Sequence, residues 1–548
     1  MKPAFAAALL VALLLGPLPV RAAEAPADES RDARIARLDA EERQLRQNQD
    51  PVRATEVLRE LVVALEGSPR QGVPLLSLYL SERDNGNLAA AAQLRKKILD
   101  TPGLHVGIRI GLFYRDAQFR AWMGDAAGAR TLWQQGNAVL AGISPTDRIS
   151  QRLMHRYVSR QAAAEASILR MEGDLDGAAR AIARALAENA ADLKRINAAG
   201  SEGGSQSVSR DRESAEADRT LLYSELIGIH LLGSRLGAAE LVVQEWLVAT
   251  QQDDGQRRYA LFARKRYGDV MLALGRCERA LDAFDRAIAG YREQLRSEIS
   301  TNLVFAKRSR AQALMCLDRW QDALAAFDEL EAQTRGKAAR QYLRAGIDRA
   351  TVRAMSGDLR TAESMIDFAV ASLMKSYGPD HAATLAANGI RAMILGRFGR
   401  DAEALPLFRR YFDAVVAGGD GAQESDESAP VRLRRRLILE AYLAALARQP
   451  DDAAALSTAF QVADTLRAGR VQQAIAASAV RGGITDPALA ELVRRDQNLA
   501  AELAALYRAL GDQADDGGIA TDLPDLRPRI HTLEQQRRET RDALRRQF

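Results

Sequence analysis

Residues 267–287, YGDVMLALGRCERALDAFDRA, decide the fold of this chain. Small and large apolar residues recur three or four positions apart on either side of Gly275, which predicts two amphipathic helices joined by a turn. Gly268 and Ala280 would let the two helices approach closely, and Phe284 would fill the space beside them. Gly275 suits the left-handed conformation that ends a helix. Because one helix pair cannot bury its apolar face alone, the stretch predicts neighbouring pairs.

The same pattern recurs along the chain. The alanine equivalent to Ala280 recurs at Ala91, Ala129, Ala178, Ala239, Ala323, Ala362 and Ala404. A large residue follows four positions later, as at Phe284, Phe327 and Phe408, and Ala287 is the next small position. Turn glycines recur at Gly124, Gly173, Gly275, Gly357 and Gly399. This pattern resembles the tetratricopeptide repeat, with intervals longer than its 34-residue standard. The resemblance implies an all-α, right-handed solenoid, which we expect to be followed by a long helical hairpin.

Composition and local sequence predict the order of the segments. The chain has 548 residues, of which 47% are hydrophobic and 27% charged, as expected for a folded protein with a large core. A Gly/Ser-rich run within residues 196–214 predicts a flexible insertion. The predicted segments are a signal peptide (1–22), N-terminal helices (23–66), the solenoid (67–415), a polar linker (416–430) and a helical connector with an antiparallel hairpin (431–548).

The N-terminus predicts export. Lys2 precedes an apolar run at residues 4–15, and small residues at Val20 and Ala22 favour cleavage after Ala22. We therefore expect a periplasmic or secreted protein with no membrane span. Cleavage removes Lys2 and Arg21, so the net charge falls by two from +4, and this balance gives no reason to expect a nucleic-acid partner.

The two cysteines, Cys277 and Cys316, occupy non-equivalent places near the turns of successive repeats. A disulfide between them remains open, but the interpretation favoured here is two partly buried thiols. Their spacing suits neither a metal site nor a redox motif.

The C-terminal segment carries a second resemblance. The motifs are LEAYL at 439–443, AFQVAD at 459–464, GRVQQA at 469–474 and TDPALAEL at 485–492. In this order they resemble the helical region that precedes the caspase-like domain of bacterial CHAT proteins (caspase HetF associated with TPRs). In that family a domain with a His-Cys dyad follows. The resemblance implies either a recognition arm without that domain or the non-catalytic part of a cysteine protease.

No catalytic constellation is apparent, so we predict a non-enzymatic chain without cofactors. The five histidines are scattered, and no phosphate-binding loop or metal motif is present. The basic run at 432–436 is interpreted as a solvated helix face.

Recognition is expected on the concave groove lined by the first helix of each repeat. The candidate residues are Phe262, Lys265, Asp269, Phe305, Arg308, Gln312 and Arg344. Phe262 and Phe305 lie one repeat apart, as do Lys265 and Arg308. Two interpretations stay open for this strip. Its rings pack between repeats, or it binds an acidic segment of a protein or peptide partner, or of the parent protein's own C-terminal domain.

Overall fold

The computed structural model describes residues 29–47, 51–84, 87–200, 206–252, 256, 259–295, 300–334, 346–418, 427–449, 452–467, 486–514 and 519–547. In these ranges the chain is helical, with no strand beyond one isolated bridge between Ala514 and Ala520. The predicted all-α class is confirmed. The described α-helices are α1 (Arg31–Gln47), α2 (Pro51–Ala64), α3 (Gly72–Asp84), α4 (Leu88–Asp100), α5 (Val106–Trp122), α6 (Ala126–Ala141), α7 (Arg148–Arg152), α8 (Met154–Met171), α9 (Leu175–Gly200), α10 (Gln206–Leu232), α11 (Leu236–Gln252), α12 (Ala260–Leu274), α13 (Cys277–Leu295), α14 (Thr301–Cys316), α15 (Trp320–Thr334), α16 (Ile347–Met355), α17 (Leu359–Tyr377), α18 (Ala382–Arg397), α19 (Asp401–Gly418), α20 (Ala429–Ala447), α21 (Ala453–Arg467), α22 (Pro487–Asp512) and α23 (Leu523–Gln547).

Most of these helices pack as successive pairs, and each pair contacts the next, as a solenoid requires. The pairs are α3–α4, α5–α6, α8–α9, α10–α11, α12–α13, α14–α15, α16–α17, α18–α19 and α20–α21. In the first eight, the fourth residue of the second helix is the predicted alanine, and each of these alanines is at most 4% exposed. The helical-repeat fold predicted from these positions is confirmed.

The α12–α13 pair shows why the repeat needs its small residues. A Cβ atom on Gly268 would lie 2.6 Å from the Phe284 ring, so glycine is required for the two helices to pack as they do. Ala280, Phe284 and Ala287 are fully buried. Gly275 ends α12 in the left-handed region, with φ of 81°, where a residue with a Cβ atom is strained.

The other repeat positions named from the sequence lie in corresponding environments. The second-helix alanines and aromatic residues are buried, namely Ala323, Phe327, Ala362, Ala404 and Phe408. Gly357 and Gly399 have positive φ, at 93° and 75°, and each follows the first helix of its pair. These positions therefore serve packing and turn geometry.

The flexible insertion predicted at residues 196–214 is wrong for most of that range. Helix α9 runs to Gly200 and α10 begins at Gln206, while residues 201–205 lie outside the described part of the chain. Both flanks carry buried residues, including Ile196 and Ala215, and the Asn189 side chain donates to the Ala215 carbonyl oxygen at 2.8 Å. The long interval between Ala178 and Ala239 thus reflects long helices, whose apolar positions outweigh the Gly/Ser signal.

The preference for two free thiols is also wrong. Cys277 and Cys316 form a disulfide, with their Cα atoms 6.0 Å apart. Cys277 opens α13 and Cys316 ends α14. Stacking of successive pairs places the start of one second helix beside the end of the next first helix, which the linear sequence does not display. The disulfide closes a loop across 39 residues. Because this restricts the unfolded chain, it contributes about 3–4 kcal/mol to the free energy of unfolding.

The solenoid extends beyond the boundary predicted near residue 415. Helix α19 runs to Gly418, residues 419–426 are outside the described ranges, and α20 begins at Ala429. Helix α20 then packs as the first helix of a ninth pair. The Phe408 and Tyr442 rings stack at 5.1 Å, and Gly389 leaves room for Ile438.

The C-terminal hairpin predicted after the solenoid is confirmed. Helices α22 and α23 pack along each other. Asp496 of α22 accepts hydrogen bonds from Arg537 at 3.0 Å and Arg541 at 3.1 Å on α23. The motif at 469–474 lies outside the described residues. No described helix combines the length and the apolar character that crossing a bilayer requires.

Candidate functional site: the first-helix face

The candidate groove corresponds to the surface of α12, α14 and α16, the first helices of three consecutive pairs. We call this surface the first-helix face. The structure brings Lys265, Asp269, Phe305 and Arg308 into one cluster. Phe262 and Gln312 make other contacts. Arg344 lies outside the described residues.

Phe262 belongs to the packing between repeats. Its ring meets Trp246 of α11 edge to face, with centroids 5.5 Å apart, and it joins the largest core cluster. The aromatic repeat seen in the sequence is therefore not a continuous strip, because Phe262 and Phe305 have different surroundings.

Lys265 and Asp269 form a largely buried ion pair, with Lys265 Nζ 2.7 Å from Asp269 Oδ2. The two side chains are 12% and 14% exposed. Arg266 Nη1 lies 3.0 Å from the same carboxylate, and the Ser309 hydroxyl of α14 donates to it at 3.2 Å. Lys265 is thus compensated within the protein and is not a free cation for an acidic ligand.

The pKa directions agree with this arrangement. Burial lowers the pKa of Lys265, while Asp269 opposes that shift. Burial alone would raise the pKa of Asp269, but the charges of Lys265 and Arg266 and their hydrogen bonds lower it overall. Asp269 is therefore held ionised, and it links α12 to α14 through Ser309.

Phe305 lies near two cations. Lys265 Nζ and Arg308 Cζ are each 6.0 Å from the centroid of its half-buried ring, within the range of cation–π attraction. We call Lys265, Asp269, Phe305, Arg308 and Ser309 the Phe305 cluster. It presents a partly exposed aromatic ring with two cations near it, on packed helices.

Gln312 belongs to a second cluster of contacts, which helix α20 of the same chain covers. Its side-chain amide donates to Asp348 of α16 at 2.7 Å, and Arg434 of α20 donates to the other oxygen of Asp348 at 3.1 Å. Burial would raise the pKa of Asp348, but Arg434 and the Gln312 hydrogen bond lower it overall. A cavity of about 20 Å³ remains beside these residues, under Leu433 and Leu437. That space suits roughly one water molecule.

The N-terminal half of α20 therefore lies across the first-helix face. Besides the Asp348 contact, Arg436 pairs with Asp318 at 3.2 Å, and Ala429 and Arg432 approach Gly275. Sequence reasoning missed this contact, because it interpreted the basic run at 432–436 as a solvated face. The available signal was the pair Leu433 and Leu437, in and directly after that run, which gives the helix an apolar side for an internal partner.

A similar charge arrangement occurs earlier in the solenoid. Asp218 of α10 is contacted by Arg115 of α5 at 3.3 Å and Arg160 of α8 at 2.9 Å. Burial would raise the pKa of Asp218, and the two arginines lower it overall. Ionised aspartates paired with basic residues thus tie first helices together. Across the described ranges, no group of three or more His, Cys, Asp or Glu side chains is placed to hold a metal ion.

Comparisons with known proteins identify no family for this chain. No family model matches it, and no curated protein matches it. Among solved structures it is similar to the crystal structure of the yeast Tom70, with 13% identity over 85% of this chain and 100% of that chain and a TM-score of 0.22. At this level of likeness, no residue or ligand of that protein is transferred, and the fold stands on the helix pairs described above.

Proposed function

We propose that this chain is a non-enzymatic scaffold that binds a protein or peptide partner on the first-helix face, centred on the Phe305 cluster. The observation that carries the proposal is the half-buried Phe305 ring with Lys265 and Arg308 each 6.0 Å from its centroid. Aromatic residues beside arginine recur among the few side chains that dominate binding at protein interfaces. The Gln312 end of the face is covered by α20, so the site is smaller than the strip predicted from sequence.

The proposal extends to the role of the chain in its parent protein. Its ordered motifs between residues 439 and 492 resemble the CHAT helical region, and on this basis it is the recognition arm of a CHAT-type protein. The alternative is the non-catalytic part of a caspase-like protease. Reading the gene past the codon for Phe548 distinguishes them, because a His-Cys domain there favours the protease.

Replacing Phe305 and Arg308, the half-buried members of the Phe305 cluster, tests the binding proposal. The change is Phe305→Ala with Arg308→Glu, used as bait in the native host beside the wild type. We expect partner affinity to fall by roughly thirtyfold, equivalent to about 2 kcal/mol for the loss of a hot spot. Association of the wild type should also slow with added salt, because its charges act over long range.

The matched control is Phe368→Ala with Arg360→Glu on α17, which makes the same substitutions at exposed positions on a second helix. Circular dichroism first establishes that both variants are folded. Unchanged affinity in the cluster variant, or an equal loss in the control, would remove the Phe305 cluster as the binding site.

We further propose that the chain is exported and cleaved after Ala22. The disulfide between Cys277 and Cys316 is consistent with an oxidising compartment, where such bonds persist. Intact mass of protein from the extracytoplasmic fraction should begin at Ala23, and a thiol-alkylating reagent should react only after reduction. A main species that retains Met1 in the cytoplasm would contradict export.

A further inference from the structure

The C-terminal hairpin folds back onto the middle of the solenoid. Helix α11 contributes Leu241 to a small separate core, and the hairpin contributes residues from both of its helices and its loop, namely Leu503, Leu510, Ala520, Leu523, Leu526 and Ile530. The Tyr507 ring lies directly against Gly237, where any Cβ atom would collide with it. We call this contact the docking interface. Its apolar core is much smaller than the main core of the solenoid.

Polar contacts orient the hairpin on α11. The Gln244 side chain accepts a hydrogen bond from the backbone N–H of Ala520 at 2.9 Å and donates to the Leu510 carbonyl at 3.5 Å. Arg279 of α13 donates to the Gly511 carbonyl at 2.6 Å. A cation at the C-terminal end of α22 is favourable, because that end carries partial negative charge.

A buried carboxylate lies beneath this contact. The Glu240 side chain is 1% exposed, and Oε1 lies 2.5 Å from Arg276 Nη1. Among the described residues its other oxygen, Oε2, has no hydrogen-bond partner. Arg276 in turn lies against Gly511, where a Cβ atom would collide with its guanidinium group. The charged groups that face Glu240 are Arg276, Arg279 and Asp512 of α22.

A second titratable pair spans the same interface. Glu245 of α11 lies 2.7 Å from Arg527 and 3.7 Å from His531 Nε2, both on α23. Glu534 also faces His531. Glu534 accepts a hydrogen bond from Tyr507 at 2.6 Å, and Arg235 and Arg537 face that phenol. Carboxylates and a histidine therefore meet at an interface with a small apolar core.

We propose that the docking interface is a pH-responsive latch, in which the C-terminal hairpin is held on α11 at mildly acidic pH and is released as the pH rises through neutral. The buried carboxylate with an unpartnered oxygen and the Glu245–His531 pair are the groups that respond. Release would expose Leu241 on α11 and Leu503 and Leu510 on the hairpin. It would leave the remaining helix pairs stacked, because their cores lie elsewhere.

The direction of the pH dependence of docking follows from proton binding. Burial raises the pKa of Glu240 from 4.5 to about 7 and Asp512 adds to this, although Arg276 opposes it. The Glu245 carboxylate, 3.7 Å from Nε2, raises the pKa of His531. Both groups therefore bind protons more strongly when docked, and docking is lost as the pH rises through the docked-state pKa values. Burial also raises the pKa of Tyr507, so its phenol stays protonated throughout this range.

Release of one proton from Glu240 between pH 6 and pH 8 should weaken docking by about tenfold, with His531 adding to the change. The backbone N–H of Ala520 reports docking directly, because its acceptor is a side chain on α11. Hydrogen exchange of peptides covering 519–526, divided by the intrinsic exchange rate at each pH, gives the opening equilibrium in the full chain.

The test compares the wild type, Glu240→Gln with His531→Gln, and the control Glu329→Gln, whose side chain is 56% exposed on α15. We expect opening to increase about tenfold from pH 6 to pH 8 in the wild type and the control, and to stay level in the double variant. Equal opening of the wild type at the two pH values would overturn the latch. A pH dependence retained in full by the double variant would overturn the assignment to these groups.

Discussion

Phe284→Ala should lower the free energy of unfolding of the α12–α13 region by about 3–5 kcal/mol, because it removes a large side chain from a rigid core. The Phe284 side chain is fully buried and lies against Gly268. The reciprocal change, Gly268→Leu, forces a larger side chain into the Phe284 ring and should cost about 1–3 kcal/mol or more.

Both effects should appear as a lower thermal midpoint and as faster hydrogen exchange in α12 and α13. The matched control is Phe460→Ala on α21, where the aromatic side chain is 78% exposed and truncation should change stability by roughly 0.5 kcal/mol or less. Equal midpoints for the wild type, Phe284→Ala and Gly268→Leu would show that the repeat register is wrong.

Lys265→Glu should destabilise the first-helix face by up to about 3–5 kcal/mol, the range for breaking a buried ion pair, because Asp269 loses Lys265 and keeps Arg266. The variant replaces the cation beside Asp269 with a second carboxylate, and both side chains are largely buried. A loss of binding in this variant would therefore reflect unfolding, which is why the binding test above uses Phe305 and Arg308.

The pH dependence of this variant provides a second measurement. In the wild type the lowered pKa of Asp269 gives stability that is present above the ordinary value of 3.8 and is lost as the pH falls through the folded-state pKa. In the variant the two carboxylates repel, so acidification should restore part of the lost stability.

The control is Arg286→Glu, which changes an exposed ion pair with Asp282. It should lower the free energy of unfolding by less than about 1 kcal/mol. A loss there as large as in Lys265→Glu would contradict the role of burial.

The candidate site could be predicted only in part. Sequence spacing placed Lys265, Asp269, Phe305 and Arg308 on one face, and three contacts link these residues in the structure. The same spacing placed Phe262 with them, yet its ring packs on Trp246. Repeat spacing specifies which side of a helix a residue occupies, but the neighbouring helix determines whether that side chain is buried.

The sequence by itself determined the helix pairs, because each pair depends on short-range spacing, such as Gly268 against Phe284 and the positive φ at Gly275. Only the tertiary structure decided the Cys277–Cys316 bond, the position of α20 across the first-helix face and the return of the hairpin onto α11. These contacts join residues 39, 86 and 276 positions apart. Their partners are set by how the repeats stack in space, and no local periodicity records that arrangement.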